Sequence, residues 1–231
     1  MPRRQAEAFR RTAPPAENSM NPAFFLFLCG ASVAGLLHAE RREDAARKRL
    51  FKPLASLAFI LAAIAAGALE TAFGSIILAG LFLCALGDVL LLSRAAPAFL
   101  AGMGAFAAGH GAYIAAFAHG GLSVGPAAVA GLAAGGALSL FVLKSLWGGL
   151  GSFRAPVIAY CVIISLMVAA SFGHWAAEPD GRSLRLAIAA AAFALSDLSV
   201  ARDRFGAENF LNRLWGLPLY YAAQCLFAVS V

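Results

Sequence analysis

Charge is scarce in this sequence. Of its 231 residues only 13% are Asp, Glu, Lys or Arg, while 61% are hydrophobic, and the mean hydropathy is +0.78. A soluble domain of this length needs a polar surface, and so few charges cannot build one; lipid is the solvent that suits most of this surface. Cysteine is sparse as well. Cys29, Cys84, Cys161 and Cys225 lie singly in separate apolar runs, without CxxC spacing or the density of a disulfide scaffold, and read as small apolar helix residues. Neither an HExxH spacing nor a Cys/His cluster occurs, so the sequence calls for no metal and no cofactor. No convincing internal repeat is present, which withholds support from an inverted-repeat transporter.

What is present is a series of apolar stretches, each close to the twenty residues that a helix needs to cross a bilayer. Eight are found, at 22–39, 53–70, 74–92, 97–118, 124–143, 155–175, 183–200 and 209–231. Turn and charge signals such as "ERREDAARKRLFK", "SRAAP", "KSLWGGLGSFR" and "ARDRFGAEN" separate them. Backbone groups in lipid must be satisfied within the segment, so the spans are helices. The predicted fold is all-α: a polytopic membrane protein forming one bundle of eight transmembrane helices over 22–231. A basic, Pro/Ala-rich segment, 1–21, precedes it; with no apolar core of its own it reads as a disordered tail, although a basic segment before an apolar one also fits a signal anchor.

The formal net charge is +6. The cations sit in short loops between apolar runs, which points to membrane topology and not to a nucleic-acid partner. Loops after spans one, three, five and seven carry Arg41, Arg42, Arg47, Lys48, Arg49, Lys52, Arg94, Lys144, Arg154, Arg202, Arg204 and Arg213; those after the even spans carry only Arg182 and Arg185. The odd-numbered loops are therefore expected in the cytoplasm. The Ala/Arg-rich usage suggests a bacterial cytoplasmic membrane.

Ionisable groups within the spans are chiefly Asp88, His110 and Asp197, with Lys52 at the mouth of the second. An acidic residue at bilayer depth costs about 2.5–3.5 kcal/mol on insertion scales, and function is the default explanation. Spans three and seven run toward the same face, and Asp88 and Asp197 each stand about one turn, roughly 5 Å, before the end of their span. They are expected at one level, together with Lys52, His110 and Tyr113 of "GHGAY", and Tyr220, Tyr221 and Gln224 of "LYYAAQ". Two carboxylates that approach each other divide into an acid and an anion, and Lys52, His110 or a tyrosine hydroxyl would hold the anion. Each residue alone has an ordinary explanation: a packing aspartate, a satisfied histidine, a snorkelling lysine, an aromatic belt beside a kink at Pro218. Their common depth outweighs those separate explanations.

"FKP" opening the second span, "ALGDVLLL", "FLAGMGAFAAGHGAYI", "ALSDLSVARDRF" and "LPLYYAAQCLFA" resemble the YhhN-like lysoplasmalogenase family from Phe51 onward. The resemblance implies an integral-membrane hydrolase that cleaves the vinyl ether bond of lysoplasmalogens, giving fatty aldehyde and glycerophosphoethanolamine or glycerophosphocholine. Its polar motif positions fall on Asp88 and Asp197, read as the catalytic residues, and Asp88, the more deeply set, is preferred as the acid with the roles reversible. Lys52, His110, Tyr113, Tyr220, Tyr221, Gln224, Arg202 and Arg204 would bind the substrate, with Lys52, Arg202 and Arg204 on its phosphate. The partners implied are the lysophospholipid and membrane lipids. A proton-coupled or small-solute transporter and a non-catalytic lipid-binding protein are the alternative readings.

Overall fold

A computed structural model describes residues 21–231. The tail expected over 1–21 lies, but for Asn21, outside the described residues. Eight α-helices follow in order: α1 Pro22–Arg41, α2 Ala45–Ala65, α3 Ala72–Leu90, α4 Ala96–His119, α5 Pro126–Leu146, α6 Arg154–Ala177, α7 Gly181–Phe205 and α8 Phe210–Ala228, with a short 3₁₀ turn at Gly151–Phe153 before α6. No strand occurs among the described residues. Polar caps set most of the starts. The Asn21 side chain accepts from Ala23 N at 2.9 Å, Asp44 from Arg47 N at 3.0 Å and Thr71 from Gly74 N at 2.9 Å. Asp180 and Ser183 form a reciprocal capping box on α7. Hydrogen bonding from Ser183 and its backbone holds the Asp180 carboxyl below its ordinary value. Pro22, Pro97 and Pro126 occupy first turns, where a missing N–H costs nothing.

Two helices depart from the expected spans. The second begins at Ala45 and ends at Ala65, because Asp44 caps it and the basic run "ARKRLFK" is itself helical, so Lys52 and Pro53 lie inside it. The seventh continues to Phe205, and Arg202 and Arg204 therefore ride on a helix and not in a loop. The eighth runs without interruption through Pro218.

Six of the helices are long and apolar enough to cross a membrane by themselves. The exceptions, α2 and α8, carry Lys48, Arg49 and Lys52 on the one and Asn212, Arg213, Tyr220, Tyr221 and Gln224 on the other. Their neighbours shelter them: α8 lies against α1, α2, α3 and α7, and α2 against α1, α3 and α8. On the outer faces Phe24, Phe27, Val129, Leu140 and Phe141 are exposed, as a lipid-facing surface requires.

The loops after α1, α3, α5 and α7 gather at one end. Arg213 pairs there with Glu40 at 2.9 Å, with Asp203 at 2.7 Å and with Glu208; Lys48 meets Glu40 at 2.7 Å, and Arg94 meets Glu208. Hydrogen bonds from Arg94 and Arg213 hold the Glu208 carboxyl below its ordinary value. The network ties α1, α2, α7, α8 and the α3–α4 loop together beneath the basic face.

Small residues let α3 and α4 approach closely. A Cβ on Gly87 would fall 2.7 Å from the Phe106 ring and one on Gly109 2.7 Å from Cys84 Sγ, while one on Gly80 would enter the Tyr113 ring. Gly80→Ala is therefore expected to lower thermal stability in detergent by about 1–3 kcal/mol, whereas Gly104→Ala, which meets nothing within 4 Å, leaves it unchanged. Equal melting temperatures for the two variants would show that this close approach is not needed.

Candidate active site

Asp88 occupies the last turn of α3 and is only 2% exposed. Three donors from two other helices surround it. From α2, Lys52 Nζ lies 3.4 Å from Oδ1 and Ser56 Oγ donates to Oδ2 at 2.8 Å; from α8, the Tyr220 hydroxyl donates to Oδ2 at 2.7 Å. Lys52 and Ser56 are four residues apart, one turn along the same face. Ser56 also lies 3.1 Å from Lys52 O, and the Tyr221 hydroxyl donates to the same carbonyl at 3.3 Å. A chain of donors runs behind Tyr220. Tyr113 OH donates to Gln224 Oε1 at 2.9 Å, and Gln224 Nε2 donates to Tyr220 OH at 3.1 Å. Every donor in the chain points toward Asp88, so each bond polarises the next in favour of negative charge on that carboxyl.

Asp197 is placed differently. It projects from α7 and is half-buried, with a single donor, the Tyr160 hydroxyl of α6, at 2.6 Å from Oδ2. Its Oδ1 has no hydrogen-bond partner among the described residues, and the residue lines a cavity. His110 is fully buried beside it, with its ring 4.6 Å from that of Phe193 and 5.4 Å from that of Tyr160. Neither ring nitrogen of His110 has a hydrogen-bond partner among the described residues.

Both carboxylates line the same cavity. It holds about 120 Å³ and is walled mainly by apolar side chains, among them Met103, Phe106, Val142, Val157, Ile164 and Leu198. Lys52, Tyr160 and Tyr220 bring the remaining polar groups together with serines 139, 196 and 199. A second, polar space of about 380 Å³ adjoins it at the basic end. That vestibule is lined by Lys48, Arg49, Lys52, Arg94, Arg204 and Arg213 against Glu40, Asp203 and Glu208, a formal excess of three positive charges. Lys52, Leu91, Phe99, Ser199, Val200 and Leu217 border both spaces and form the neck between them.

The ten residues singled out from the sequence thus separate into groups. Asp88, Asp197, Lys52 and Tyr220 meet at the apolar cavity, and Arg204 lines the vestibule. Tyr113, Tyr221, Gln224 and His110 stand behind the cavity wall, in contact with the site residues but not with the open space. Arg202, expected on the substrate phosphate, does not line the vestibule. It lines a separate cleft with Phe141, Ser145 and Asn212, because α7 is still helical there and residues two apart on a helix face opposite ways. Ser56 and Tyr160 were not singled out. Both carried a usable signal: Ser56 follows Lys52 by one turn in "KPLAS", and Tyr160 enters the sixth span from the basic end at a depth like that of the other polar groups.

The arrangement offers a carboxyl open to an apolar cavity, a second carboxylate fixed by donors, and an ammonium at the neck. No group of three or more His, Cys, Asp or Glu side chains gathers among the described residues in a way that could hold a metal ion. Comparison with curated proteins and with solved structures gives no match. The YhhN family model matches residues 47–231, a stretch that holds every residue lining the apolar cavity, and the chain belongs to the YhhN family.

Proposed function

We propose that the protein is a lysoplasmalogenase-like hydrolase that cleaves the vinyl ether bond of a single-chain glycerophospholipid by carboxyl acid–base chemistry. The observation that carries this reading is the pair of unlike carboxyl groups on one apolar cavity: Asp88 held by three donors, Asp197 by one. Family membership supports it.

Hydrolysis of a vinyl ether starts with a proton transferred to the ether's β-carbon, leaving an oxocarbenium ion. Water adds to that cation to give a hemiacetal, which collapses to a fatty aldehyde and the glycerol hydroxyl. The reaction needs an acid that reaches carbon, an anion near the developing positive charge, and a base for the water. Asp88 suits the anion. Its shell of an ammonium and two hydroxyls is the shell a carboxylate needs in a low-dielectric interior. Asp197 suits the acid, since it lines the cavity with one oxygen free of any protein partner while Tyr160 fixes the other. This reverses the preference drawn from the sequence, where depth alone favoured Asp88 as the acid. After giving up its proton, Asp197 becomes the base that takes one from water, so the pair is restored in each turnover. The alkenyl chain occupies the apolar cavity and the phosphate lies in the vestibule near Lys52, Arg49 and Arg204. On the positive-inside rule the basic end faces the cytoplasm.

Purified protein in detergent is expected to release aldehyde from a 1-alkenyl lysophospholipid. Asp197→Asn and Asp88→Asn should each lower kcat by at least about 100-fold, in line with general acid–base contributions, while Tyr160→Phe should lower it by roughly tenfold. A protein that releases no aldehyde but moves a solute across vesicle membranes defeats the hydrolase reading in favour of transport. Equally, full activity in both Asp→Asn variants removes the carboxylates from the chemistry.

The vestibule yields a second expectation. Arg49→Gln and Arg204→Gln should raise KM several-fold with little change in kcat, because they would contact the phosphate equally in the ground and transition states. Steady-state kinetics at fixed ionic strength checks this; a fall in kcat with constant KM would place these arginines in the reaction step instead.

A further inference from the structure

Ser199 differs from the other buried serines. Ser32, Ser139, Ser165, Ser171, Ser183 and Ser196 each donate to a backbone carbonyl, Ser56 also bonds Asp88, and Ser230 accepts from Arg185 Nε. The Ser199 hydroxyl makes no hydrogen bond among the described residues, although the residue is only 6% exposed. It is absent from the fully enclosed orphan atoms, which are confined to the His110 ring, so what exposure it keeps is toward open space. The residue borders both the apolar cavity and the vestibule, and so stands at the neck.

The fold places the hydroxyl there with some specificity. Ser199 faces α8 where that helix has Gly216, and a Cβ on Gly216 would collide with Ser199 Oγ. The glycine thus leaves room for a hydroxyl with no protein partner. An unpaired hydroxyl in a nearly dry site loses about a hydrogen bond's worth of stability unless a ligand or a water completes it. Six residues form the neck, and apart from Lys52 the other four are Leu91, Phe99, Val200 and Leu217. Ser199 is therefore the neutral hydrogen-bonding side chain at this constriction.

We propose that Ser199 hydrogen-bonds the free glycerol hydroxyl next to the ether of a single-chain glycerophospholipid, and is thereby a specificity-determining residue for lipids that lack a second chain. This rests on the hydrolase reading for the placement of the lipid. With phosphate in the vestibule and hydrocarbon in the cavity, the three-carbon glycerol unit must pass the neck, and the hydroxyl on its middle carbon is the polar group that arrives there. In a two-chain lipid that oxygen carries an acyl group, which cannot donate to Ser199 and would bring a second chain into a constriction walled by Leu91, Phe99 and Leu217.

Binding tests this without turnover, using 1-alkyl-2-hydroxy-glycerophosphoethanolamine, whose saturated ether resists the proposed reaction, and its 2-deoxy counterpart. Calorimetry on the detergent-purified full chain should show the wild type binding the hydroxyl lipid about three- to tenfold more tightly, as a neutral hydrogen bond allows. Ser199→Ala should bind both lipids at the weaker level. A variant that keeps the full preference, a wild type that has none, or a wild type that binds neither lipid overturns the proposal. Were Ser199 only a packing partner of Gly216, Ser199→Ala would change the melting temperature and leave the preference intact. The 2-O-methyl lipid on the wild type provides the same comparison without a mutation, and it should bind no better than the deoxy lipid. Failure of the hydrolase reading shows separately: no aldehyde release together with a preserved, Ser199-dependent hydroxyl preference would sink the reaction and keep the recognition.

Discussion

A carboxylate in a bilayer interior must be solvated by protein, and the need to solvate Asp88 organises the rest of the bundle. Moving such an ion out of water costs several kcal/mol even after relaxation, and only close donors offset that cost. None of its donors comes from α3, which carries it. Lys52 and Ser56 come from α2 and Tyr220 from α8, the two helices that are too polar to cross a membrane unaided. The same polar residues that weaken the independent insertion of α2 and α8 are thus the ones that bind them to α3. A charge that is costly alone becomes the pin joining three helices.

The pin in turn explains the layout behind it. Tyr220 donates to Asp88 while its own oxygen accepts from Gln224 on the next turn of α8, which polarises the hydroxyl toward the carboxyl. Gln224 is held by Tyr113 of α4, and Tyr113 fits only because Gly80 of α3 has no side chain. A glycine in an apolar run is thereby connected, through four contacts, to the ionised state of a residue on its own helix.

Much of this was legible in the sequence, and the part that was not has a physical reason. Hydropathy and loop charge placed the helices because both follow from the solvent, which acts on every residue independently. Depth placed Asp88, Asp197, Lys52 and Tyr220 at one cavity because rise per residue is constant along a helix. Rotation about the helix axis was not legible. Depth cannot tell that Arg204 faces the vestibule while Arg202 turns away, nor that Tyr113, Gln224 and His110 stand behind the wall and not on it. Rotation is decided by packing, and nearly every face here is apolar, so the usual contrast between an oily and a polar side is missing. Tyr160 shares this limit: its depth matches that of the other polar groups, but the apolar neighbours in "VIAYCV" give no sign of which way it faces.

The contrast between Asp88 and Asp197 is better understood as a consequence of where each helix ends than of the residues themselves. α3 stops two residues after Asp88, which seats that carboxyl beside the cation that opens the neck. α7 continues eight residues beyond Asp197, so its carboxyl remains in the wall of the apolar cavity, out of reach of the vestibule arginines. Identical side chains at the same depth are therefore given different solvation by the lengths of their helices. On the proposed chemistry that inequality is what matters, because two equivalent carboxylates would share a proton and neither would be a committed donor to carbon. The end of α3 beside Asp88 and the run of α7 past Asp197 create the asymmetry, and no special residue at either aspartate is required.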